Sequence, residues 1–154
     1  MARAANTLDE LDSRLLRLLD QAPRVGVLEM SRRLGVARAT VQARLDRLVE
    51  RGVIATFAPT IDPVALGYAV TAYATLEISQ GRGRVVLAHL RSIPQVLEVH
   101  TITGQGDMLC GVVARSNDDL QAVLDRVTEF PDIVRTSSVI ALSNPVPYRV
   151  LPLV

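Results

Sequence analysis

Apolar residues in the first third of the chain recur at helical spacing. Leu8, Leu11, Leu15, Leu18 and Leu19 share one face of a helix expected over about 8–20, which ends before Pro23. Thr7 and Glu10, three apart at its start, fit a capping box with Thr7 as N-cap. Val27, Met30 and Leu34 mark a second helix over about 27–34, and Gly35 follows where a left-handed cap is easiest. A third helix, about 38–51, turns Val41, Leu45 and Leu48 inward and stops at Gly52.

Beyond Gly52 the period changes. VIATFAPTI reads as one or two short strands broken by Pro59. The turn residues of 58–67 mark a linker. From Tyr68 the alternation is strict: Ala72, Ala74, Leu76 and Ile78 face one way, Thr71, Tyr73, Thr75 and Glu77 the other. A helix over about 84–92, strands over 96–103 and 107–114, a helix capped by Asn117 and a strand over 133–142 complete a βαββαβ order. The halves 69–103 and 107–142 repeat each other, which is the ferredoxin-like split arrangement. Its antiparallel sheet should carry both helices on one face and leave the other free to pair with a second copy. The apolar, proline-rich tail SNPVPYRVLPLV should lie against a neighbour.

Length and charge sharpen this picture. A chain of 154 residues suits two compact units, each near the size at which one core is marginal, so association would help. Hydrophobic residues at 49% and charged residues at 21% describe a globular chain. No apolar run is long enough to cross a bilayer. The N-terminus lacks a signal-peptide core, and Cys110 alone cannot close an intrachain disulfide, so the cytoplasm is the expected compartment. The net charge of +1 is unevenly spread. Residues 1–60 hold ten arginines against seven acids, and residues 61–154 hold seven against nine. Every basic residue is arginine, the side chain best shaped for bidentate contact with phosphate or guanine.

The excess concentrates in MSRRLGVARATVQARLDRLVERG, residues 30–52, with six arginines against two acids. Helix, glycine turn, helix is the spacing of a helix-turn-helix, whose second helix enters the major groove. With Val41, Leu45 and Leu48 inward, Arg38, Ala39, Thr40, Gln42 and Ala43 are left to face DNA. Arg38, Thr40 and Gln42 can bond base edges, and small Ala39 and Ala43 permit close approach. Arg32, Arg33, Arg44 and Arg47 stand where phosphates could be reached. The same residues also fit a basic solvated face on an ordinary helical hairpin.

LDELDSRLLRLL, the 30–54 stretch, DPVALGY and VLEVHTITGQGDMLCGVV, in that order and over nearly the whole chain, resemble the Lrp/AsnC feast/famine regulators. The resemblance implies an α+β protein. A winged-type helix-turn-helix domain would span 1–57, a linker 58–67, a ferredoxin-like (RAM/ACT-like) ligand-sensing and oligomerisation domain 68–142, and a tail 143–154. It further implies dimers assembling into octamers or similar rings, a palindromic double-stranded DNA operator, and a small-molecule effector, usually an amino acid. The implied effector site comprises Thr103, Gly104, Gln105, Gly106 and Asp107, with Thr136 and Ser138 from a neighbouring subunit. Turn N–H groups would accept a carboxylate and Asp107 would meet an ammonium. The same turn also fits a plain hairpin in which Asp107 only satisfies backbone. Three positions depart from the family pattern. Ala37 replaces a frequent serine, Gly106 stands where an aromatic residue is common, and Met108 where a large residue is. Gly106 is expected to enlarge or loosen the pocket.

No cofactor or metal is expected. His89 and His100 lack partners at metal spacing, Cys110 reads as a buried thiol, and nucleotide-loop and hydrolase-elbow motifs are absent from the sequence. Sirohaem decarboxylases resemble the same two-domain architecture, so an enzyme is the alternative, although it would have little use for an arginine-rich helix. A sensor that acts through assembly alone, without DNA binding, is the third reading.

Overall fold

The structure, a computed structural model, describes residues 8–154. The chain divides into two compact units. One runs to Pro59 and takes in Val146–Val154, and the other is Thr60–Pro145.

The first unit is a trihelical bundle of α1 (Glu10–Gln21), α2 (Val27–Leu34) and α3 (Arg38–Glu50). Leu15, Met30, Leu34, Val41, Leu45 and Leu48 form its core. Removing each such side chain from water contributes roughly 1.5–3 kcal/mol. The N-terminal cap differs from the sequence expectation. Thr7 lies outside the described residues, and α1 opens with Asp9 as N-cap. The Asp9 carboxylate accepts from the Asp12 N–H at 2.9 Å, and the Asp12 carboxylate accepts from the Asp9 N–H at 3.5 Å. Two acids three apart thus form the reciprocal box in place of Thr7 and Glu10, and their charge suits a helix N-terminus. Gly35 adopts φ +71° between α2 and α3, and its N–H donates to the Ser31 carbonyl. Ala37 caps α3 without a side-chain bond.

The strands expected in VIATFAPTI do not form. The Val53 and Ile54 N–H groups fold back onto the Leu48 carbonyl at 2.9 and 3.1 Å, and both side chains pack on the helical core. A C-terminal cap of this kind satisfies α3 at the expense of a ladder, and residues 55–61 pair with no strand among the described residues. The tail joins this unit. Its short 3-10 turn (Leu151–Leu153) lies where Arg17 Nη2 donates to the Val154 carbonyl at 2.6 Å. Val150, Leu151 and Val154 help Leu16, Leu19 and Phe57 enclose a cavity of about 400 Å³.

The second unit opens with a 3-10 turn (Val64–Leu66) and follows the order β1 (Val70–Ile78), α4 (Gly83–Arg91), β2 (Val96–Thr101), β3 (Met108–Ala114), α5 (Asn117–Thr128), β4 (Ile133–Ala141). The sheet order is β2-β3-β1-β4, with every neighbouring pair antiparallel. Ala72, Ala74 and Leu76 are buried with Val86 and Leu90 of α4 and Leu120, Val123 and Val127 of α5. Alternation therefore puts Thr71, Tyr73, Thr75 and Glu77 on the opposite, open face. In register beside them, β4 presents Val139, Ser137 and Arg135 against Tyr73, Thr75 and Glu77. One cap is corrected here: Ser116, not Asn117, caps α5, accepting from the Asp119 N–H at 3.1 Å. Ser116 has the extended backbone that an N-cap needs, and Asn117 is already helical.

Candidate DNA-reading helix and effector pocket

The amphipathic pattern of α3 buries Val41, Leu45 and Leu48 and leaves Arg38, Ala39, Thr40, Gln42 and Ala43 exposed together. Arg38 enters none of the ion pairs of the described residues. Gln42 Nε2 donates to Asp46 Oδ1 at 2.8 Å, a surface bond that fixes its amide near the helix. On α2, Arg33 Nε donates to Glu29 at 2.8 Å, and Arg32 lies 3.8 Å from the same carboxylate. The bond from Arg33 is the main reason the Glu29 carboxyl sits below its ordinary range. Both guanidiniums remain more than half exposed.

Arg44 and Arg47 are placed differently from the expectation that they reach for phosphate. Both turn toward α1. Arg44 Nη1 donates to Asp9 and, at 3.0 Å, to Asp12. Arg47 Nη2 donates to both Asp12 oxygens at 3.1 and 2.8 Å. The Asp12 side chain is 1% exposed. A buried carboxylate requires such partners. The geometric reason is position: residue 44 is one turn from Val41 and adjoins Leu45 and Leu48, so its side chain leaves the helix along the edge of the core. Asp9 is held below the ordinary carboxylate range, first by the bond from Arg44 and then by the Asp12 N–H. Arg44 is raised by the same two carboxylates.

In the second unit, a cavity of about 370 Å³ opens on the free face of the sheet. Thr75 and Glu77 of β1, Arg135, Thr136 and Ser137 of β4, and Gln105 and Gly106 of the β2–β3 turn line it. Of the residues implied from sequence, it brings together Gln105, Gly106 and Thr136. Thr136 Oγ1 is buried without a partner. Thr103, Gly104 and Asp107 do not line it. Asp107 is tied to backbone: its N–H donates to the Leu76 carbonyl and its Oδ2 accepts from the Ile78 N–H, both at 2.8 Å. That bond sits where the β1–β4 register shifts between Glu77 and Ile78. Ser138 pairs with buried Ala74 and Thr136 with buried Leu76, so both side chains belong to the opposite side of the sheet.

Met108 is buried in the core beneath the sheet. Gly106 lines the cavity. It adopts φ +90°, and a Cβ there would meet Thr75 Cγ2 at 2.4 Å. The position requires glycine because the turn backbone lies directly on β1. The lining residues outside the set implied from sequence are Thr75, Glu77, Arg135 and Ser137. Alternation had already placed Thr75 and Glu77 on the open face, but only the strand register brings Arg135 to within 3.8 Å of Glu77.

His89 and His100 serve other contacts. His89 stacks on Phe130 at 4.8 Å with Nε2 bonded to the Arg126 carbonyl at 2.9 Å, and His100 lies 3.2 Å from Glu98. Among the described residues, no group of three or more His, Cys, Asp or Glu side chains is placed to hold a metal ion. No helix among them is long and apolar enough to cross a membrane.

Both units match known protein families. Residues 8–55 match the winged helix-turn-helix DNA-binding family, and residues 71–151 match the Lrp/AsnC ligand binding domain. The chain is 31% identical over 137 residues to the HTH-type transcriptional regulator FL11 of Pyrococcus horikoshii, covering 89% of this chain and 91% of that protein. The structure of AsnC from E. coli superposes with a TM-score of 0.87 at 28% identity, over 95% of this chain and 99% of that one. The feast or famine regulatory protein from M. tuberculosis, solved in complex with L-methionine, gives a TM-score of 0.81 at 27% identity, over 93% and 97% of the two chains. With an exposed, arginine-led helix on one unit and a ligand-sized cavity on the other, the chain belongs to the Lrp/AsnC family of helix-turn-helix transcriptional regulators.

Proposed function

We propose that this regulator reads a palindromic operator through α3 and that an amino acid bound at the open-face cavity alters its DNA affinity. The observation that carries the effector half is the charge arrangement of the cavity. Glu77 and Arg135 stand 3.8 Å apart on neighbouring strands and both line it. A carboxylate and a guanidinium side by side complement the ammonium and carboxylate of a zwitterion. A second copy seated on the open sheet face, and assembly of dimers into an octamer or similar ring, would enclose this shallow site.

On the DNA side, Arg38, Thr40 and Gln42 read base edges, Ala39 and Ala43 let the helix approach, and Arg32 and Arg33 meet phosphates. A dimer would place two such helices about 34 Å apart, one turn of DNA. The protein works in the cytoplasm and gates transcription without catalysing a reaction. Binding to its own upstream DNA across a salt series tests the reading. With about six phosphates neutralised by a dimer, log affinity falls against log salt with a slope near −5, about 0.9 per phosphate. A panel of amino acids added to the same assay identifies the effector. Binding that is weak and indifferent to sequence and salt refutes the DNA half. Unchanged binding with every amino acid refutes the effector half.

A further inference from the structure

We propose that Asp9 and Asp12 on α1 are positioning residues for the recognition helix, holding Arg44 and Arg47 off the DNA so that α3 presents a reduced set of cations led by Arg38. This rests on the reading of α3 as the DNA-reading helix.

Four groups from two helices make the arrangement. Asp12, fully buried, accepts from Arg44 at 3.0 Å and from Arg47 at 3.1 and 2.8 Å. Asp9, half exposed, accepts from Arg44. The Arg44 side chain is 25% exposed and that of Arg47 43%, against 69% and 52% for Arg32 and Arg33. If Arg44 swung out to a phosphate, it would leave part of a buried carboxylate's charge uncompensated, which is strongly unfavourable. Arg32 and Arg33 face no such constraint, because the Glu29 side chain is 43% exposed and water replaces them. The six arginines of residues 30–52 are therefore not equivalent. Arg44 and Arg47 brace α3 against α1, and the carboxylates that brace them cancel their charge toward DNA. Cancellation lowers affinity for any duplex equally. It leaves base-edge contacts untouched, so discrimination between operator and random DNA rises.

The test is binding to a random-sequence duplex over a salt series, with wild type, Asp9→Asn, Glu10→Gln and Arg44→Gln. Asparagine is as good an N-cap as aspartate, so Asp9→Asn keeps the cap of α1 while releasing Arg44 from one carboxylate. Glu10 is an exposed neighbour that enters no ion pair among the described residues, so Glu10→Gln makes the same change of net charge without freeing a cation. Asp9→Asn leaves one guanidinium charge uncancelled toward DNA and steepens the salt slope by up to about 0.9, and Glu10→Gln does not. Arg44→Gln lowers the unfolding midpoint and leaves the slope at its wild-type value. The proposal is overturned if Asp9→Asn moves the slope no further than Glu10→Gln. It is equally overturned if Arg44→Gln flattens the slope by about one, the mark of a direct phosphate contact. Should Asp9→Asn fail to fold, the Arg44→Gln arm decides alone. Wild type that binds with a salt slope while the variants behave alike refutes only this inference. Wild type with no salt-dependent binding refutes the DNA-reading function and this inference with it.

Discussion

Replacing Gly106 by alanine separates backbone strain from steric conflict at the floor of the cavity. At Gly106 the backbone has φ +90°, and the new Cβ would lie 2.4 Å from Thr75 Cγ2 and 3.2 Å from the Leu76 carbonyl oxygen. Gly104, two residues earlier, has φ +99° and open space where a Cβ would go. Both substitutions force an L-residue into a glycine conformation, at about 1–3 kcal/mol. Only Gly106→Ala adds a collision, and overpacking of this kind costs about 1–3 kcal/mol more. Urea unfolding at one fixed protein concentration measures both, the concentration being held because assembly contributes to stability. Gly106→Ala is expected to be less stable than Gly104→Ala by the collision term. Thr75→Ser deletes the offending Cγ2, so the pair Thr75→Ser with Gly106→Ala should recover most of that difference, a coupling visible in a double-mutant cycle. Equal stability of the two alanine variants, or no recovery with Thr75→Ser, would refute the close contact of the turn on β1.

Leu48→Ala removes a fully buried side chain from the trihelical core and should cost about 2–5 kcal/mol, whereas Val49→Ala at a 44% exposed position should cost little; the same urea assay compares them. Burial pushes the Cys110 thiol up to about 11, so an alkylating reagent near neutral pH should modify the native protein slowly and the urea-unfolded chain fast; rapid labelling of the native state would contradict the burial. The Asp9 carboxyl is lowered from its ordinary 3.8, chiefly by Arg44, so its stabilisation is complete above that value and is lost as pH falls through the lowered folded value. The gap in melting temperature between wild type and Asp9→Asn should therefore close as pH falls below 3.8 and through the lowered folded value, and a gap that persists at the acid end would mean the charge of Asp9 contributes nothing.

The local pattern of the chain determined what local physics controls. Helical spacing placed α2 at its observed bounds and α3 within a residue, because a three-residue seam of Val41, Leu45 and Leu48 has only one face to bury. Strict alternation settled which side of β1 meets the helices, and the repeated halves settled the βαββαβ order. The residues of α3 left exposed, Arg38, Ala39, Thr40, Gln42 and Ala43, were legible for the same reason.

Contacts between distant segments decided the rest. Pairing of Arg44 and Arg47 with Asp9 and Asp12 spans 32 to 38 residues, and no period in the sequence distinguishes an arginine that meets a carboxylate from one that meets solvent. The same limit hid the neighbouring of Glu77 and Arg135, which only the β1–β4 register brings together, and the facing of Thr136 and Ser138, which that register turns toward the helices, since a slip of one residue inverts a strand's faces. Strands expected after Gly52 failed because a strand exists only with a partner, and the Leu48 carbonyl claimed the two N–H groups first. Gly106 shows the division most plainly. Its identity is visible in one letter, but the reason for it is the methyl group of Thr75, thirty-one positions away, against which no side chain fits.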